Sequence, residues 1–67
     1  MNILKIRGLM AEQMITQRAM AEMLGISLSS FHRKLKSGGN RFTLEELVKM
    51  KEALHLSDEE ASEIFFD

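Results

Sequence analysis

Three residues constrain this chain more than any others: Thr16, Gly25 and Ser27. The Thr16 hydroxyl can accept from a free amide in the first turn of a helix, and Ile15 before it can pack on Met20, so a helix starts at about Gln17. Gly25 ends that helix, because glycine takes a positive φ without the penalty a side chain brings. Ser27 then caps the next. The stretch QRAMAEMLGISLSSFHRKLK, Gln17 to Lys36, is therefore two short helices joined by a tight turn. On the first, Met20, Met23 and Leu24 recur at three and four residues with Ala21 beside them, an apolar face that a second helix can approach closely. On the second, Phe31 and Leu35 are the apolar anchors. Leu28, Ser29, His32, Arg33 and Lys36 are left facing elsewhere, as a polar and basic surface.

The flanks read as helices too. Ile3, Ile6, Leu9 or Met10, and Met14 form one stripe, which predicts a helix from about Asn2 to Gln13 with Lys5 and Arg7 off the stripe. Gly8 inside it costs about 1 kcal/mol relative to alanine, a cost that a close contact would explain. Ser37-Gly38-Gly39-Asn40-Arg41 is a turn with free backbone amides, and Asn40 and Arg41 are suited to phosphate oxygens. Phe42-Thr43-Leu44-Glu45-Glu46-Leu47 is a complete helix start: Thr43 caps, Glu46 completes a capping box, and Phe42 staples onto Leu47. Leu44, Leu47, Met50 and Leu54 mark the buried face of a helix running to about Leu54. The signal repeats with Ser57 as cap, Glu60 three later, and Leu56 paired with Ala61, so a last helix runs from about Asp58 to Phe66. The chain has no proline, and its Met, Leu, Glu and Lys content favours an all-α fold.

Net charge is −1, but it is unevenly spread. Residues 1–41 hold seven basic and two acidic side chains, a balance of +5; residues 42–67 hold two basic and eight acidic ones, a balance of −6. Such polarity can hold one end against a polyanion while the other stays solvated. Sixty-seven residues make one small domain, and a chain of this size buries only about 60% of its unfolded surface. The absence of cysteine excludes disulfides and thiolate metal sites and suits a reducing compartment. No run has the length of a membrane span, and the N-terminus has no signal-peptide core, so a cytoplasmic location is expected.

The order Thr16-Gln17, Ala21, Gly25, Ile26, Ser27 resembles the bacterial and phage repressor and Cro-like helix-turn-helix family, the lambda repressor-like or XRE-type group. In that resemblance Thr16-Gln17 opens the first helix, Ala21 sits at the inter-helix contact, Gly25 lies in the turn, Ile26 plugs the core and Ser27 caps the recognition helix. The match covers nearly the whole chain. It implies a compact five-helix lambda repressor-like DNA-binding domain with the helix-turn-helix at helices 2 and 3. One position departs: many relatives carry an apolar residue three after the first anchor of the recognition helix, where this chain has Lys34 and then Leu35.

The resemblance implies that the third helix enters the major groove of double-stranded DNA. Ser27, Leu28, Ser29 and Ser30 would then meet base edges and nearby phosphates, with His32, Arg33 and Lys36 further along the exposed side. Arg33 can pair bidentately with guanine O6 and N7, and Leu28 can touch a thymine methyl. Gln17 is implied to bind a phosphate and set the docking register, with Arg18 beside it and Asn40 and Arg41 beyond the far end of the helix. As solvated surface charges, Arg33 and Lys36 would carry no such role, and Lys34 stands at the edge of the apolar face.

No catalytic constellation stands beside this surface. His32 and His55 are far apart in sequence, no metal-ligand spacing occurs, and the clustered carboxylates sit at helix starts where capping explains them. Neither an enzyme nor a cofactor is expected. Ile64-Phe65-Phe66 cannot all point into one core, and the resemblance implies dimers on palindromic half-sites, so these three are the candidate contact of a homodimer. The reading is a prokaryotic, nucleoid-associated transcription regulator of phage or bacterial origin. Its competitor is a protein-interaction module on the same scaffold, whose partner is another protein.

Overall fold

The computed structural model describes residues 1–66. Among them are five helices: α1 (Ile3–Glu12), α2 (Gln17–Leu24), α3 (Leu28–Lys36), α4 (Leu44–Ala53) and α5 (Asp58–Phe66). Every predicted start is built as the capping chemistry requires. Thr16 Oγ1 accepts from the Ala19 amide at 3.0 Å, and Ser27 Oγ accepts from the Ser30 amide at 3.1 Å. Reciprocal capping boxes open the last two helices. Thr43 and Glu46 exchange hydrogen bonds of 2.9 and 3.1 Å, and so do Ser57 and Glu60. The Glu60 carboxyl accordingly sits below its ordinary pKa, chiefly through the Ser57 amide it accepts from. Gly25 closes α2 at φ +74°, the left-handed conformation its position demands.

The core gathers Ile6, Met10, Met20, Ala21, Leu24, Phe31, Leu35, Phe42, Met50, Leu54, Leu56, Ala61, Ile64 and Phe65. Helix α2 packs on both α3 and α4, and α1 packs on α5. Two long-range hydrogen bonds tie the ends together: the Asn2 amide donates to the Ile64 carbonyl at 2.7 Å, and Gln13 Nε2 donates to the Leu54 carbonyl at 2.8 Å. No helix among the described residues is long and apolar enough to cross a membrane.

Four expectations need correction. Met14 is 90% exposed rather than on the α1 stripe. The helix has already ended at Gln13, and the chain reverses through Met14 at φ +58°, which takes its side chain out of helical phase. Leu44 is 73% exposed: it opens α4 at the rim of an open cleft lined also by α5, and the helix buries Glu46 and Met50 instead. Met23 is about half exposed at the edge of the α2 face. Gly8 has open space around its Cβ position, so no close contact explains it.

Candidate nucleic-acid interface

Helix α3 buries Phe31 and Leu35 and turns its remaining surface outward. At about 100° per residue, Arg33 lies opposite the midpoint of Phe31 and Leu35, with Ser29 and Lys36 roughly 40° and 60° from it on the side toward His32. His32 falls roughly 100° from Arg33 at one edge, and Ser30 roughly 60° from it toward the other. Ser29, His32, Arg33 and Lys36 are exposed, while Leu28 at the first helical position and Ser30 are half-buried. This is the polar face that the sequence spacing requires.

At the edge toward α2, His32 Nε2 is hydrogen-bonded to Gln17 Oε1. With Nε2 protonated, the Gln17 oxygen accepts and its amide nitrogen keeps both N–H donors for an external acceptor. The first residue of α2 is therefore oriented by α3 itself. Arg7 of α1 lines the same shallow cleft as Thr16 and Gln17. Sequence reasoning placed Arg7 only off the apolar stripe; nothing in helical spacing shows that α1 carries it beside the start of α2. Arg18, next along, is exposed.

The opposite edge is built from a hydroxyl relay. Ser27 Oγ donates to Ser30 Oγ at 3.0 Å, and Arg33 Nη2 donates to the same Ser30 oxygen at 3.1 Å. Arg33 thus leans along α3 away from the middle of the outward side. Ser30, Arg33, Lys34 and Arg41 line one cleft of about 400 Å³ between α3 and the loop before α4. Asn40 is exposed on that loop, whose glycines Gly38 and Gly39 both hold positive φ.

Lys34 has a different task from the cations around it. Its ammonium meets both Glu46 oxygens, at 2.7 and 2.9 Å, and the two side chains are only 20% and 10% exposed. It also stands 5.8 Å from the centre of the Phe42 ring, while Phe42 packs against Phe31 at 5.9 Å between ring centres. Burial pushes the Glu46 carboxyl up, but Lys34 and the Thr43 amide and hydroxyl outweigh it and hold the group below its ordinary pKa. Helix α3 is thereby joined to the start of α4 and the residue before its cap by one ion pair and one aromatic contact. Sequence reasoning missed this pairing, and its one signal was a lysine standing where the resemblance implies an apolar side chain.

The C-terminal trio divides. Ile64 and Phe65 are buried in the chain's own core and are not available as contact surface, whereas Phe66 is 70% exposed. Phe66 lies against the edge of Phe65 and lines an apolar cleft of about 200 Å³ with Leu44, Leu47, Val48 and Ala61. A contact with another molecule at this end would use Phe66, not the two residues before it.

A family model described as the BetR domain matches residues 2–65. No curated protein and no solved structure matches the chain. The family is one of small helical, helix-turn-helix-like domains and points to a helical DNA-binding or regulatory module. With a match over nearly its whole length and five helices around a helix-turn-helix, the chain belongs to the BetR domain family.

Proposed function

We propose that this chain is a sequence-specific DNA-binding transcription regulator, of the repressor and Cro-like kind, that lays α3 in the major groove of a palindromic site. One observation carries the reading: the outward face of α3 is polar and basic, and it continues without interruption onto Gln17 at the start of α2 through the His32 hydrogen bond. Hydrogen-bond donors at a helix start beside an inserted helix are what a duplex backbone and groove require. The +5 balance of residues 1–41 supports the same orientation, with the acidic helices held away from the polyanion. Regulation follows by steric occlusion of a promoter in a prokaryotic cytoplasm, by binding alone and without an enzymatic step or a cofactor. A homodimer on DNA would present two copies of α3 to the two half-sites, with Phe66 in the contact.

Selection of bound sequences from a random duplex library, followed by titration at several salt concentrations, tests the reading. The expected result is an enriched palindromic motif with an affinity that falls steeply as salt rises. The absence of any enriched motif would overturn it. A second reading, a module whose main partner is a protein, draws on the apolar cleft around Phe66, Leu44 and Val48. Under that reading the chain selects no motif.

A further inference from the structure

Arg33 and Arg41 reach one cleft from two different segments, and neither has a carboxylate within ion-pair distance among the described residues. The third cation there, Lys34, is already neutralised by Glu46. The cleft therefore holds two uncompensated guanidinium groups beside the Ser30 hydroxyl. Like charges brought together in a concave site repel unless an anion joins them, and a guanidinium offers paired N–H donors that match two oxygens of one phosphate. Ser30 takes part in this arrangement by holding Arg33 rather than by facing the groove: its Oγ accepts from both Ser27 and Arg33. The hydrogen bond draws the Arg33 guanidinium toward the Ser30 edge of α3 and away from Ser29 and Lys36, which stay open to base edges.

We infer that Ser30, Arg33 and Arg41 form a phosphodiester site at the α4-side edge of the recognition helix, and that Arg33 grips the backbone rather than reading guanine. This rests on the DNA reading above and sharpens it. Base readout is left to Ser29, Lys36 and Leu28, between two backbone contacts: Gln17 with Arg7 at one edge and the Arg33–Arg41 cleft at the other. Lys34, held by Glu46, supplies the wall of the cleft without adding to its charge.

The test compares wild type, Arg33→Gln, Arg41→Gln and the double variant carrying both, each checked by circular dichroism for unchanged helix content. Binding is titrated against salt on the duplex returned by selection and on a scrambled duplex of the same length. The expected result is that each substitution lowers the slope of log affinity against log salt by about 0.9 on both duplexes. The ratio between the two duplexes and the selected motif stay unchanged. Replacing single phosphates of the selected duplex by neutral methylphosphonates should then reveal one position that weakens wild type but no longer affects the double variant. If Arg33→Gln instead relaxes one motif position, lowering the specificity ratio by about 5- to 150-fold, Arg33 reads a base and the inference falls while the DNA reading stands. If neither substitution alters the slope, the cleft holds no phosphate. If wild type binds neither duplex, the DNA reading falls first and this inference with it.

Discussion

Replacing Lys34 by methionine keeps most of the side-chain volume but removes the ammonium from Glu46 and from the face of the Phe42 ring. The carboxylate of a residue only 8% exposed is then left with the Thr43 amide, at 2.9 Å, and the Thr43 hydroxyl as its donors. Stripping one partner from a fully buried pair costs about 3–5 kcal/mol, and a hydrogen bond to a charged group is worth about 1.5–3 kcal/mol. Because Glu46 keeps its capping bond and Lys34 is partly solvated, about 2–3 kcal/mol is expected. A chain of this length has about 3–10 kcal/mol of stability in all, so the effect is large. Urea unfolding followed by far-ultraviolet circular dichroism reads it as a fall in midpoint of about 2–3 M, taking a slope near 1 kcal/mol/M. Adding Glu46→Gln to Lys34→Met removes the stranded charge while a glutamine can still serve the capping box. The double variant is expected to recover to within about 1 kcal/mol of wild type. Acid titration supplies a second readout. The Glu46 carboxyl lies below its ordinary value of 4.5, so it contributes stability that is present above that value and lost as pH falls through the lowered one. Without Lys34 the lowering shrinks, and the variant loses less stability on acidification than wild type does. A single variant within about 0.5 kcal/mol of wild type, or a double variant less stable than the single one, refutes the argument.

Gly8→Ala is expected to stabilise the chain by about 1 kcal/mol, because Gly8 lies inside α1 with nothing near its Cβ position. A thermal midpoint raised by roughly 4–8 °C would show it, and an unchanged or lower midpoint would contradict it. Gly25→Ala should cost about 1–2 kcal/mol in urea unfolding, since φ +74° penalises any L side chain even in open space. Phe66→Ala should change monomer stability by less than about 0.5 kcal/mol because the ring is exposed. Sedimentation of the wild type and this variant, free and on the selected duplex, then reads association: a wild type that stays monomeric on DNA removes the dimer contact.

Much of the architecture was legible because it is local. Thr16, Ser27, Thr43 and Ser57 declare their helices within three residues of themselves, and Gly25 declares its turn, since capping needs only a hydroxyl and a nearby amide. Phe31 and Leu35 fall on the buried face of α3 by helical spacing alone, which leaves Ser29, His32, Arg33 and Lys36 outside. Spacing misled at the ends of elements. Met14 and Leu44 fit an apolar period, but one lies past the end of α1 and the other opens α4 at the rim of the cleft shared with α5, so neither is covered.

What the tertiary structure decided is which distant groups meet across the edges of α3. Gln17 with His32, Arg33 with Arg41, and above all Lys34 with Glu46 come from segments whose relative placement depends on how α2, α3 and α4 pack, and no local rule encodes that packing. The sequence by itself determined that there would be a capped, basic-faced third helix after a glycine turn, because those properties reside in a few adjacent residues. Its roll and its neighbours were set only when Phe31 met Phe42 and Lys34 met Glu46, because side chains far apart in the chain acquire a common geometry only through the shared core.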